Sequence, residues 1–340
     1  MNRNTIRWIL VALMALSLAL TLSCPYLAYA EGALPMDYLE GGKAPKADGW
    51  TFDENGYPLS YQDSTIQVTF EREAFEHILS SGPNKGAKAK NDESWVVRIK
   101  IQDVSQLRTA VAKNDYMKKS FAPAESMAAD KNAVVAMNGD FFKYENDVGY
   151  LVRQGELIRD ATKNKRGRLF DMLLIDSKGN FHAVYSATTD KIEAYVAENL
   201  TPQGLTVLDT FNIGPVLVLN GEVQDVSQTE MARQGSYEWP YCIERIAVVQ
   251  TGELEYAIVT VGTKSKTSGL AMQEFAEFVA EKVPDAILAY NLDGGGSANL
   301  TSTIQKTKRD GSTYLEHVRI NRNNDIRDIT DILYFASAED

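Results

Sequence analysis

From Trp95 to Ile101 every second residue is apolar, and that period of two predicts a half-buried strand. In Ala133-Val134-Val135-Ala136-Met137 the apolar positions run together, as expected of a fully buried strand. Further strands are predicted over 171–176, 181–186, 216–219, 245–250, 256–261 and 286–292. Ser177-Lys178-Gly179-Asn180, Asn220-Gly221 and Thr251-Gly252-Glu253 have the composition of hairpin turns. Helical spacing is predicted in four places. Phe70, Ala74, Phe75, Ile78 and Leu79 suggest a helix over 69–79, and Val104, Leu107 and Val111 mark a short one. A third lies near 123–131. The fourth, 269–283, is amphipathic through Leu270, Phe275, Phe278 and Val279 and ends before Pro284.

Strands outnumber helices, and hairpins mix with strand–helix–strand passages. The pattern predicts an α+β fold of mixed β-sheets with flanking helices, in a single main domain over 94–340. Residues 31–93 are expected to form an N-terminal arm with one helix: 31–60 are rich in Gly, Pro and Asp without a period, and the stretch from Ser81 to Asn91 is polar.

The first 30 residues have a different character. Arg3 and Arg7 precede an apolar run over 8–22, and Ala28-Tyr29-Ala30 offers small residues to a signal peptidase. The run is shorter than the roughly 20 apolar residues of a membrane span. A signal peptide or a retained N-terminal anchor is expected, placing the protein outside the cell or on the outer face of the membrane. Removing this segment takes away two arginines and no acid, so a net charge of −11 becomes −13. Such a balance disfavours nucleic acid as a partner. Only Cys242 then remains, so no disulfide-linked partner is expected and the thiol reads as buried and structural. Oligomeric state is not legible.

Chemistry concentrates at strand ends. Three consecutive glycines follow an apolar strand in Leu292-Asp293-Gly294-Gly295-Gly296-Ser297, at a cost in backbone entropy. Close approach of a ligand to exposed amides is a usual compensation, and such amides can bind an anion. Asp293 sets a carboxylate beside them. Asn138-Gly139-Asp140-Phe141-Phe142 also leaves a buried strand, with polar groups suited to hydroxyls and aromatics suited to a sugar ring. Asn212 and Gly214 lie in a weaker segment, Phe211-Asn212-Ile213-Gly214-Pro215. Arg245 opens its strand with a planar donor fork suited to phosphate. His77, His182 and His317 are too few and too scattered for a metal site, and their roles read as structural.

These segments, in this order, resemble the phosphodiester glycosidase family over roughly 95–335. Asn138 to Phe142 is similar to the family's Asn-Gly-Gly-aromatic-Phe motif, with Asp140 in place of the second glycine. Gly214-Pro215 with Asn220-Gly221, Arg245-Ile246-Ala247 and Leu292 to Ser297 match three further motifs. Glu274 stands where the family often has Glu-Leu-Ala. The resemblance implies cleavage between a sugar anomeric carbon and a phosphate oxygen, with a glycan or sugar phosphodiester as partner. A cell-wall or exopolysaccharide polymer is the expected substrate. It casts Asp293 as nucleophile, base or electrostatic stabiliser, with Asp140 or Glu274 as a second carboxylate. Arg245 and the amides of Gly294, Gly295, Gly296 and Ser297 would hold phosphate, while Asn138, Phe141, Asn212 and Gly214 line the sugar site. No cofactor is required, although a calcium ion shared by Asp140 and Asp293 is an alternative. A non-catalytic glycan- or cell-wall-binding protein on the same scaffold is the competing reading.

Overall fold

Strand alternation decides which side chains meet. In β14 (Arg245–Gly252), Ile246 and Val248 enter the core shared with the second sheet. Ala247 and Val249 point the other way, into a cluster with Met272, Phe275, Ala276 and Val279 of helix α3 (Met272–Lys282). Both faces are therefore covered, which explains an apolar run without alternation. The structure, a computed structural model, describes residues 36, 41–114, 120–140, 149–161, 170–212, 214–229, 232, 241–263, 268–321 and 326–340. The leader expected over 1–30 and Phe141 lie outside the described residues. Residues 32–340 form one compact unit.

A nine-stranded sheet carries β1 (Trp50–Phe52), β2 (Pro58–Gln62), β3 (Ile66–Ile78), β4 (Lys88–Ile101) and β15 (Glu255–Val261). It continues through β14, β16 (Leu288–Asn291), β12 (Val216–Leu219) and β13 (Glu222–Val223). Opposite it lies a five-stranded sheet of β18 (Thr313–Arg319), β17 (Leu300–Thr307), β6 (Ala133–Asn138), β19 (Asp331–Ala336) and β5 (Leu107–Val111). Val135, Met137, Leu300, Leu333 and Phe335 from this sheet pack with Val97, Ile99, Ile246, Val248 and Tyr290 from the other. Helix α1 (Ala124–Asp130) covers the outer face of the second sheet through Ala124, Met127 and Ala128. A three-stranded sheet of β10 (Phe181–Val184), β9 (Met172–Asp176) and β11 (Val207–Phe211) packs with α2 (Thr189–Tyr195), and β7 (Gly149–Arg153) pairs with β8 (Glu156–Ala161). The fold is α+β with sheet dominating. Every pairing between these strands is antiparallel, so its mixture lies in several sheets with flanking helices rather than in strand direction.

Four expectations about the N-terminal third need correction. Residues 69–79 form no helix; 69–78 belong to strand β3, because Ile66, Val68 and Phe70 alternate inward at period two. The polar stretch expected as a loop up to Asn91 turns into β4 from Lys88. Val104–Gln106 is a single 3-10 turn capped by the Asp103 carboxylate, after which Leu107–Val111 is a strand buried at every position. The expected arm over 31–93 is thus no separate unit: β1 to β4 extend the nine-stranded sheet. The turn Asn220-Gly221 has φ of 51° and 78°, the paired positive values a tight hairpin needs.

Candidate functional site

Leu292 donates its N–H to the Ile246 carbonyl at 3.0 Å, extending the antiparallel pairing in which Ala247 faces Asn291. Beyond Leu292 the register slips by one residue, and the Gly295 N–H donates to the Glu244 carbonyl, which brings the glycine turn beside Arg245. The two motifs, far apart in sequence, are therefore brought to adjacent strand ends. Arg245 shares the strand face of Ala247 and Val249, on the α3 side. The arginine is 4% exposed. Its Nε donates to the Leu270 carbonyl at 3.1 Å and its Nη2 to the Tyr241 carbonyl at 3.0 Å. Asp293 is half-buried.

The backbone explains two of the three glycines. A Cβ on Gly294 would stand 2.7 Å from the Glu244 carbonyl oxygen and 3.8 Å from Arg245 Cδ. Gly295 has φ of 58°, in the left-handed region, and opens a 3-10 turn to Ser297. The expected cradle of four amides is smaller than the motif suggests. The Gly295 N–H donates to the Glu244 carbonyl at 2.9 Å and the Ser297 N–H to the Gly294 carbonyl at 3.2 Å. Among the described residues the amides of Gly294 and Gly296 have no backbone acceptor. Arg327, exposed, donates its backbone N–H to the Gly296 carbonyl at 3.1 Å, and its Nη2 lies 3.9 Å from the Cβ position of Gly295.

Asn138 does reach this loop, but as a brace. It is 1% exposed, its Nδ2 donates to the Asp293 carbonyl at 2.9 Å, and its Oδ1 accepts the Asn299 N–H at 3.1 Å. With both polar atoms on protein, its expected contact with sugar hydroxyls is replaced by a hold on the Asp293 backbone. Gly214 has φ of 63°, precedes a cis proline, and accepts from Asn291 Nδ2 at 2.7 Å. It too shapes the rim from beneath.

Asp140 lies deeper than expected. Its side chain is fully buried. Both oxygens accept from Asn212, from the backbone N–H at 3.2 Å and from Nδ2 at 2.5 Å. Asn212 Oδ1 in turn accepts the Tyr150 N–H at 2.9 Å, so Asn212 is a buried bridge and not a sugar contact. Asp331 accepts the Asp140 N–H at 2.8 Å and pairs with Arg153 Nη2 at 2.8 Å, while that nitrogen is 3.6 Å from Asp140. Burial pushes the Asp331 carboxyl up to about 6, opposed by Arg153 and reinforced by the charge of Asp140. An Asp140 engaged in this way does not offer its oxygens to a cation shared with Asp293. Glu274 is also committed elsewhere: its Oε2 caps α3 by accepting the Ala271 N–H at 3.0 Å, 3.9 Å from the Cys242 sulfur. Cys242 is buried among Leu79, Ala89 and Ala271, as a structural thiol should be.

A family model described as phosphodiester glycosidase matches residues 131–336. The chain belongs to the phosphodiester glycosidase family. The matched span opens just ahead of β6 and closes at the end of β19, so it includes Asn138, Arg245, Asp293 and Asp331. The catalytic domain of zebrafish N-acetylglucosamine-1-phosphodiester alpha-N-acetylglucosaminidase, auto-inhibited by its pro-peptide, has the same fold. It is 17% identical, with a TM-score of 0.55, covering 80% of this chain and 88% of its own. A hypothetical protein from Synechocystis is 16% identical over 80% of this chain and 62% of its own, with a TM-score of 0.46. No curated protein matches the sequence significantly.

Sequence reasoning missed Glu244, Arg153, Asp331 and Arg327. Glu244 is fully buried, and its carbonyl anchors the glycine turn. The signal was present in Glu244-Arg245 and Asp331-Ile332: a charged residue directly ahead of an apolar strand, the same cue that singled out Arg245.

Proposed function

We propose that this family member hydrolyses the glycosyl–phosphate bond of a sugar-1-phosphodiester at the rim where Asp293 meets Arg245. The observation that supports this most is their convergence at adjacent strand ends, where the buried Arg245 lies beside a glycine turn that starts at half-buried Asp293. In the reaction, water adds to the anomeric carbon as its bond to the phosphate oxygen breaks, the bonding pair leaving with the phosphate. A phosphate monoester departs readily, so stabilising the oxocarbenium-like sugar and the leaving anion is the larger task. Asp293 faces the developing positive charge on the sugar. Arg245, fixed by two backbone carbonyls, supplies a positive potential that needs no rearrangement, and the amides of Gly294 and Gly296 complete the phosphate contact. Exported glycans carrying glycosyl phosphates, in a cell wall or exopolysaccharide, fit the leader sequence and the family.

The test is incubation with methyl phosphodiesters of N-acetylglucosamine, glucose, galactose and mannose, with free sugar read by mass spectrometry. Turnover of at least one, cut about 10³-fold by Asp293→Asn with the fold retained, is expected. Near-normal rates in that variant remove Asp293 from the chemistry. The burial of Asp140 favours a second reading, glycan binding without catalysis, because glycoside hydrolysis commonly uses two carboxylates at the scissile bond. Tight binding of the panel without sugar release selects that reading.

A further inference from the structure

Five charged side chains sit in the closed interior next to the rim. Asp140, Asp209 and Asp331 are 0–6% exposed, and Arg108 and Arg153 are 0–2% exposed. Arg153 on β7 binds Asp331 through Nη2, while its Nη1 donates to the carbonyls of Val152 (2.9 Å) and Thr210. Arg108 on β5 donates to Ser105 O at 2.9 Å and Tyr334 Oη at 3.0 Å. Asp209 on β11 accepts from Thr109 Oγ1 at 3.0 Å and the Gln154 N–H at 3.2 Å. Within this group of described side chains, three acids stand against two guanidiniums. An excess charge in a low-dielectric interior is costly, and taking up one proton is the usual relief. Burial raises Asp209 as well as Asp331, and the buried Tyr290 hydroxyl on β16 is pushed well above its ordinary value by burial, Asp140 and Asp171.

The cluster is joined to the rim by a short covalent path. Asp331 grips Gly139 and Asp140 from both ends: its backbone carbonyl accepts the Gly139 N–H at 2.9 Å and its carboxylate accepts the Asp140 N–H. A Cβ on Gly139 would lie 2.6 Å from Asp331 Cγ, so the two are packed without slack. The next residue back is Asn138, which holds the Asp293 carbonyl.

We propose that Asp331 and Arg153 are positioning residues for the hydrolytic rim, forming with Asp140 a buried, proton-holding cluster whose charge state sets where Asn138 holds Asp293. This rests on the reading of Asp293 as the reacting carboxylate. While the proton is held, Asp140 and Asp331 do not repel and the grip on Gly139–Asp140 is kept. Once it leaves, Asp140 and Asp331 repel and the rim loosens.

Asp331→Asn mimics the protonated acid and keeps an acceptor for the Asp140 N–H. It should behave at every pH as the unmodified enzyme does below about pH 6, so kcat on the best methyl phosphodiester loses its decline above pH 6 while KM barely changes. Arg153→Lys cannot span both carbonyls and Asp331, and should lower kcat by about 10- to 100-fold. An Asp331→Asn enzyme whose kcat–pH curve superimposes on that of the unmodified enzyme overturns the proposal. A second measurement needs neither variant nor turnover: the Asn138 side-chain amide resonance, followed by NMR from pH 4 to 8, should shift with a midpoint near 6. A resonance that stays fixed while an aspartate carboxyl titrates in that range also overturns it. If no phosphodiester is hydrolysed, the glycosidase reading falls, and the amide titration alone still decides whether the cluster moves Asn138.

Discussion

The Asp293 turn and the Asp140 turn begin alike and end differently. Each places an aspartate just beyond a buried strand, and each is followed by residues that look suited to a ligand. Asp293 stays half-buried at the start of the glycine turn, whereas the Asp140 side chain is sealed among Asn212, Arg153 and Asp331. The difference teaches that a strand-end acid is assigned by what takes its oxygens. An acid enclosed by partners inside the protein holds shape, and one that keeps access to solvent is the better candidate for chemistry.

The comparison breaks most sharply at Arg153. Arg153→Leu removes the guanidinium that pairs with Asp331 and lies near Asp140, and thermal or urea unfolding should show a loss of about 3–5 kcal/mol. A stable Arg153→Leu protein would mean the cluster carries little of the fold. Gly294→Ala drives a methyl into the Glu244 carbonyl. A loss of about 1–3 kcal/mol and impaired turnover should follow, and an unchanged melting curve would show that the turn yields freely. Linkage sharpens the contrast further. The Asp331 carboxyl is raised in the folded state, so its contribution to stability is full below about pH 4 and is lost as pH rises through about 6. Melting temperatures of the unmodified protein should therefore fall relative to Asp331→Asn between those values, by ~2–4 °C for each kcal/mol lost. Parallel curves would contradict the assignment. The smallest effect is expected at Glu274. Glu274→Ala removes a helix cap at about 0.5–2 kcal/mol and leaves turnover unchanged, which activity on a phosphodiester would check.

Much of the fold was legible where strands are buried on both faces, since runs such as Ala133–Met137 and 245–250 cannot be surface. It was least legible where strands are long and amphipathic. In β3 the spacing of Phe70, Ala74 and Ile78 fits a helix as well as it fits every fourth residue of a strand, and only Ile66 and Val68 break the tie. The polar strands β17 and β18 passed unread because Thr, Ser, Gln and Lys carry no apolar period, yet register with β6 defines them. For the site, the glycine turn, Arg245 and Asn138 were found as a group. Their internal order was not, because no spacing in the sequence reveals that Asn138 faces backbone, that Asp140 is enclosed, or that Asp331 and Arg153 close around it.

The central claim is that Arg245 and Asp293 act on one bond from one pocket, and a double-mutant cycle on the best phosphodiester substrate tests it most directly. If the claim holds, adding Arg245→Lys to Asp293→Asn costs far less than Arg245→Lys costs alone, since groups that act as a unit lose their effect together. Losses that multiply in full would show two independent contributions and contradict it.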